Sequence, residues 1–513
     1  RRPPRSTLFP YTTLFRSWTA RPKSGFGLGD RAFELKLTFI YPDDIRNGAD
    51  YNTFVIRRYA TSTTWTDGDL TDQPAGIYFA HASNIKTLGE DFALGEESPQ
   101  GKKYYTIADG AWNNPACWSP DGFSGASDGT YPSQLSLVDM AFIGNNKTIT
   151  LDADRQLSSV TVLDTLTGKG HLIFNDKVLT GDQFELKSGG KISIGSPDGI
   201  TQSGATGNVR TTIRNYNHNS HGMGHFRYIS GALATGDGLP ANAASLEIDI
   251  TPANTIILTN VISLNQNLTL TNGIFSCNNN DISLKGNWIN NATYQNGTET
   301  VTFDGDTNQH CSGTSTTVFN KLHLDKSAGY LILDQNIQVD NELNFVKPSL
   351  VQVTDKNITI GTSGAIEPSA SLGPNRMIQF NGTSSAGNLI KLHANGNNVT
   401  RSFTYPVGIG SDYNPAILSA RANFNAARTE VKVVAPQHPN RQPGRNNMLK
   451  KYWTVNNVGV TNLTALQPDT RYEFYFLPTD VTGNRLKYIP GRYVAATGRE
   501  NNAGGSFGID ASR

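Results

Sequence analysis

Residues 256–286 read IILTNVISLNQNLTLTNGIFSCNNNDISLKG. Apolar side chains stand two apart at Ile256 and Leu258, Leu268 and Leu270, and Ile282 and Leu284, with Gly273 and Gly286 between or just after them. Period-two alternation sends every second side chain to the same side of a strand, so each pair reads as a short strand with one buried face. The pattern recurs. Upstream, Leu172, Phe174, Phe184, Leu186 and Gly189 match it at a constant offset of 84, and Ile192, Ile194 and Gly195 close that copy. Downstream, Leu331, Leu333, Leu343 and Phe345 follow at 75, then Ile358 and Ile360 at 76. Three copies of a unit too small to bury its own core predict stacking. The expected form is a right-handed parallel β-helix (a β-solenoid), with each long repeat supplying about three coils of about 20 to 25 residues.

The bulk numbers agree with an all-β chain. There are 513 residues, 37% hydrophobic, with 50 Gly and no sustained helical periodicity. Only 17% are charged and the formal net charge is +1, which removes the basic footprint of a nucleic-acid binder. No apolar run reaches the 18 residues of a membrane-spanning helix. Cys117, Cys277 and Cys311 form no CxxC pair and no even set, so buried thiols are expected, without a disulfide framework or a zinc site.

Working outward from the repeats, residues 33–59 alternate, turn at 42–48 and alternate again, as a β-hairpin would. Residues 475–493 repeat the order aromatic, Pro, Asp, Gly, Arg-Tyr, and predict a similar hairpin at the other end. After residue 375 the strands lengthen (RMIQF, SFTYPVG, YNPAILSA, TEVKVVAP), and KKYWTV at 450–455 reads as a central strand. Their spacing suits an antiparallel sandwich. The expected divisions are therefore 18–100, the end of one β-sandwich; 101–370, the β-helix; 371–495, a second β-sandwich; and 496–513, a loop-like tail. Residues 7–17, TLFPYTTLFRS, resemble the in-frame translation of a short-read sequencing adapter, so 1–17 are set aside as non-native. The chain reads as a fragment of a longer array.

Several phrases together resemble the large repetitive secreted proteins of Bacteroidota: WNNPACWS at 112–119, VTFDGDTNQ, NKLHLDKS, SFTYPVG followed by YNPA, and KKYWTV. The resemblance implies β-helical stretches combined with immunoglobulin-like sandwiches. It also implies export to the cell surface or outside the cell by type IX secretion, and adhesive or structural roles. No carboxy-terminal sorting domain matches.

Candidate chemistry is sparse. His218, His221 and His225 in NHNSHGMGHF have the spacing to converge on a metal ion, though a solvated Gly- and Asn-rich loop explains them as simply. Asp249 and Asp325 each end an apolar-x-apolar strand, 76 residues apart, and Asp304 and Asp306 lie in the DGDTNQ turn. Carboxylates on neighbouring coils of one face would bind Ca2+ or work as acid and base on a polysaccharide. The plainer reading is that they form turns. Trp112 and Trp118 would stack on sugar rings or cap the open end of the solenoid.

These readings converge on a structural or adhesive segment of a secreted surface protein, a rigid stalk whose partners would be polysaccharides or cell-surface glycans. No catalytic residue is nominated. The alternatives are a polysaccharide-degrading β-helix enzyme and a non-catalytic glycan-binding module. A groove with clustered acids beside a base would favour the enzyme, and ladders of Thr, Asn and Ser would favour the stalk.

Overall fold

The structure is a computed structural model that describes residues 101–163, 168–216, 223–382, 386–439, 447–464, 470–485, 488 and 491–494. It also describes the backbone of the strands named below within 16–96 and of 498–501. Two compact units divide the chain at residue 101.

In the first unit, Arg16–Ala20, Phe54–Tyr59, Trp65–Asp67 and Glu90–Glu96 form an antiparallel sheet. Leu35–Ile40, Asp69–Leu70 and Phe79–Ile85 form another. The expected hairpin over 33–59 is not made. Leu35–Ile40 pairs with Phe79–Ile85, whereas Phe54–Tyr59 pairs with Glu90–Glu96. The connection 41–53 is much longer than a turn that sets hairpin register, so nothing local forces the two strands together.

In the second unit a fourteen-stranded sheet runs from Gly110–Ala111 to Asp412–Tyr413, parallel throughout except at its final pair. One inward column threads it. Ile149 pairs with Leu172, and the register continues through Ile192, Phe226, Leu246, Leu268, Trp288, Cys311, Leu333, Val353 and Phe380 to Ile409. Every member from Ile149 to Phe380 is at most 1% exposed. Between Leu246 and Val353 successive members are 20 to 23 residues apart, one coil each. The largest member, Trp288, lies between Leu268 and the small Cys311, and its ring meets Tyr294 at 4.9 Å and Phe319 at 5.0 Å. All three cysteines are buried free thiols.

A second face precedes the long sheet in each coil. It begins as a sheet that includes Met140–Ile143, Arg155–Val162, Leu179–Leu186 and Ile213–Asn215, and resumes as another from Asn242–Ala243 through Ile282–Leu284 to Ile358–Ile360. Three central coils add a third face, Thr255–Ile257, Ile274–Ser276 and Thr293–Gln295.

The solenoid is as expected, but the long repeat is not a whole number of coils. Leu172 lies on the long sheet, its sequence match Ile256 on the short third face, and Leu331 on the long sheet again. The next matched residues, Phe184, Leu268 and Leu343, lie on the second face, the long sheet and the second face. Offsets of 84 and 75 do not divide into coils of 20 to 23. What recurs is the inward pair and its turn, a demand common to every face. The turn glycines bear this out: Gly189 and Gly273 have φ of +79° and +90°, and a Cβ on Gly273 would stand 2.2 Å from Ile250 Cγ1.

Side chains also stack at the turns. Asn267 Oδ1 accepts from the Asn287 amide at 2.8 Å and Asn287 Oδ1 from the His310 amide at 2.9 Å. Asn336 and Asn357 do the same for Asn357 and Asn388. Each bond ties one coil to the next and satisfies a backbone donor that the bend leaves free.

Both ends turn antiparallel. Upstream, Trp118–Ser119 pairs antiparallel with Lys103–Thr106. Downstream, Leu389–Leu392 lies parallel on Ile358–Ile360 but antiparallel to Ala416–Val434, which is a 19-residue strand. YNPAILSA and TEVKVVAP therefore lie in one strand rather than two, bent near Ala426, whose φ is +44°. That strand is central, with Gly396–Tyr405 on one edge and Tyr452–Thr461 and Arg471–Phe474 on the other. KKYWTV thus belongs beside the central strand. The expected hairpin over 475–493 also fails, since Gly491–Val494 pairs with Gly498–Asn501. Antiparallel closure removes the open parallel edges on which a solenoid would otherwise polymerise.

Candidate functional site

The strand register builds one charged cluster on the outer face of the long sheet. Lys191, His225 and Ser245 form one outward column, and Ser193, Arg227, Glu247 and Thr269 the next. Alternation with the buried Ile192, Phe226, Tyr228, Leu246 and Ile248 turns these polar side chains outward. Lys191 Nζ reaches Glu247 Oε2 at 2.8 Å, across the intervening coil. Arg227 pairs with Glu247 at 3.3 Å and also with Asp249, whose other oxygen accepts from Asn272 Nδ2 at 2.7 Å. Four successive strands are thereby joined.

Asp249 is thus in the cluster, but its expected counterpart is not. The phrase LEID at 246–249 lies on the long sheet and LHLD at 322–325 on the second face, so Asp249 and Asp325 do not share a surface. Asp325 pairs with Lys347 at 2.8 Å. Lys191, Arg227 and Glu247 escape sequence reading, because spacings of 36 and 20 acquire meaning only once the coils are stacked.

The titrations do not resemble those of a general acid and base. Burial favours protonation of Asp249, yet the hydrogen bonds from Asn272 and Arg227 outweigh it and hold the carboxyl below its ordinary value. Burial, reinforced by Lys191 and Arg227, pushes His171 down to about 4. His171 Nε2 lies 2.8 Å from Ser193 Oγ. His225, lowered by burial and then by Lys169 and Lys191, has Nδ1 2.7 Å from Ser245 Oγ. A glycosidase needs one carboxylic acid held protonated beside a second carboxylate, whereas Glu247 and Asp249 are both matched by cations.

The histidines carry a prediction. A folded pKa near 4 against about 6.5 unfolded means that the unfolded chain binds the extra proton between those values. Stability is therefore complete above about pH 6.5 and declines as pH falls toward 4. Replacing His171 with Gln is expected to remove about one proton from the slope of unfolding free energy against pH in that window, measured by urea titration at several pH values. An unchanged slope would contradict the assignment.

His218 and His221 lie outside the described residues, so their convergence with His225 has no geometry here. Among the described residues no group of three or more His, Cys, Asp or Glu is arranged to hold a metal ion. The DGDTNQ turn, where Ca2+ was expected, receives the Lys326 ammonium. Trp112 and Trp118 are 0% exposed, with ring centroids 4.9 Å apart. Their indole N–H groups donate to Pro132 O and Trp112 O, so neither ring offers a face to a sugar, and both pack into the first coil.

On the second face an outward column runs Asn242, Ser263, Ser283, Thr302, His323, Asn344, Glu367. Successive groups are about 4.8 Å apart along the axis, the strand spacing. Searches of protein-family models, curated proteins and solved structures find no match to this chain. Among the described residues no helix is long and apolar enough to cross a membrane.

Proposed function

We propose that this chain is a structural or adhesive segment of a secreted bacterial surface protein, its solenoid a rigid stalk that presents repeated polar surfaces. The observation that carries the reading is the second-face column, an unbroken run of Asn, Ser, Thr and His across successive coils. Such a surface offers many weak, identical hydrogen-bonding positions, and weak contacts sum when several engage together. Its partners would be polysaccharides or cell-surface glycans. The paired carboxylates of the charged cluster support a static role over turnover of a glycosidic bond. The resemblance to repetitive Bacteroidota proteins supports the same placement at the cell surface.

The purified chain, incubated with insoluble plant and algal polysaccharides, is expected to deplete from solution onto at least one of them. It should release no unsaturated or reducing ends. Release of such ends at a rate that follows protein concentration would overturn the stalk in favour of the degrading enzyme.

A further inference from the structure

The turn after Thr300–Phe303 has the sequence DGDTNQ, acidic and polar at the spacing of a cation loop. Its interior is filled by a side chain from the next coil. Lys326, 0% exposed, directs Nζ at Gly305 O (2.9 Å), Thr307 O (2.8 Å) and Gln309 Oε1 (2.7 Å). Three donors meet three oxygens, the full complement of an ammonium. Gln309 is held in turn, its Nε2 donating to Leu284 O and Gly286 O. Burial draws the ammonium down to about 8, against the pull of Asp306 and Asp304. Asp304 Oδ1 is itself buried without a hydrogen-bond partner, a negative atom that a cation would balance.

The geometry points to a cation-binding site in the Gly305 to Gln309 turn whose permanent occupant is the chain's own Lys326 ammonium. With that side chain cut back, the site takes a free monovalent cation of the ammonium or potassium class. The distances select the class. Calcium sits about 2.3 to 2.6 Å from its oxygens and magnesium closer still, whereas neutral carbonyl oxygens at 2.7 to 2.9 Å suit ammonium or potassium. A second lysine repeats the arrangement. Lys391, from Leu389–Leu392, donates to the carbonyls of Gly361, Thr362 and Gly364 in the preceding turn. In both places one coil supplies the cation for the turn of the coil before it.

The test is thermal unfolding of full-length Lys326→Ala at pH 7 in matched ionic strengths of ethylammonium, potassium, calcium and choline chlorides. The variant is expected to unfold several degrees lower than the parent. Ethylammonium or potassium should restore about 3–5 °C in a saturable way, while choline and calcium restore none. The parent and Lys326→Met, whose methylene stem fills the space without a charge, should not distinguish among the four salts. Equal response of Lys326→Ala to all four salts would overturn the proposal. If that variant does not fold in buffer, recovery of its β circular dichroism on refolding with ethylammonium supports the site, and failure with every cation overturns it.

Discussion

Leu268→Asp is expected to abolish cooperative folding of the solenoid, seen as loss of the β circular dichroism signal and rapid proteolysis between residues 140 and 367. Leu268 is 0% exposed and stands between Leu246 and Trp288 in the inward column. A carboxylate there has no cation within the core, and burying an ion without a partner costs several kcal/mol even after relaxation. Protonating it lowers the cost but leaves a polar group among apolar ones. The damage spreads because a solenoid's coils are stable only through their neighbours, so one failed interface separates two stacks that must each end in an unclosed edge. A conservative Leu268→Val should cost only about 1 kcal/mol. Retention of the parent's melting temperature by Leu268→Asp would contradict the register.

The second large effect is expected at the downstream end. Lys451 has a side-chain exposure of 7% and lies 3.0 Å from Asp480, itself 3% exposed. It also pairs with Asp412 and bonds Asn414 Oδ1 at 3.2 Å. Asp480 accepts from the Leu477 amide at 3.0 Å and from Asn414 Nδ2 at 3.3 Å. Lys451→Met keeps the volume and removes the charge, leaving Asp480 buried without a cation, which costs about 3 to 5 kcal/mol. The double replacement Lys451→Met with Asp480→Leu should recover much of that loss, because neither charge then remains. Equal stability of the single and double variants, compared by urea unfolding, would show that the pair is not coupled.

How far the sequence reveals the fold depends on what its pattern encodes. Period-two pairs such as Ile282 and Leu284 announce inward-facing strands, and the left-handed glycines Gly189 and Gly273 announce their turns; both are local requirements. Which face a pair occupies depends on the length of each turn, and one apolar pair looks like another, so Phe184 and Leu268 match in sequence while lying on different faces. The same limit hides the charged cluster. Lys191 and Glu247 meet because two coils stack between them, and no local motif records that. Trp112 and Trp118 were placed at the solenoid entrance by their position in the chain, but only burial shows that neither indole is open to a ligand. Asp249 and Asp325 shared a phrase and not a surface, and Lys326, unremarkable in sequence, proves to be the cation of the DGDTNQ turn.

The stacked register also has a mechanical meaning. Backbone hydrogen bonds between coils point along the stacking axis, so tension along that axis loads them row by row rather than all together. Each coil that yields releases 20 to 23 residues in the central region, about 70 Å of chain. The inter-coil lysines and stacked asparagines act as rivets across those rows. A surface tether built this way lengthens in discrete steps under load, absorbing work one coil at a time while its remaining coils stay folded.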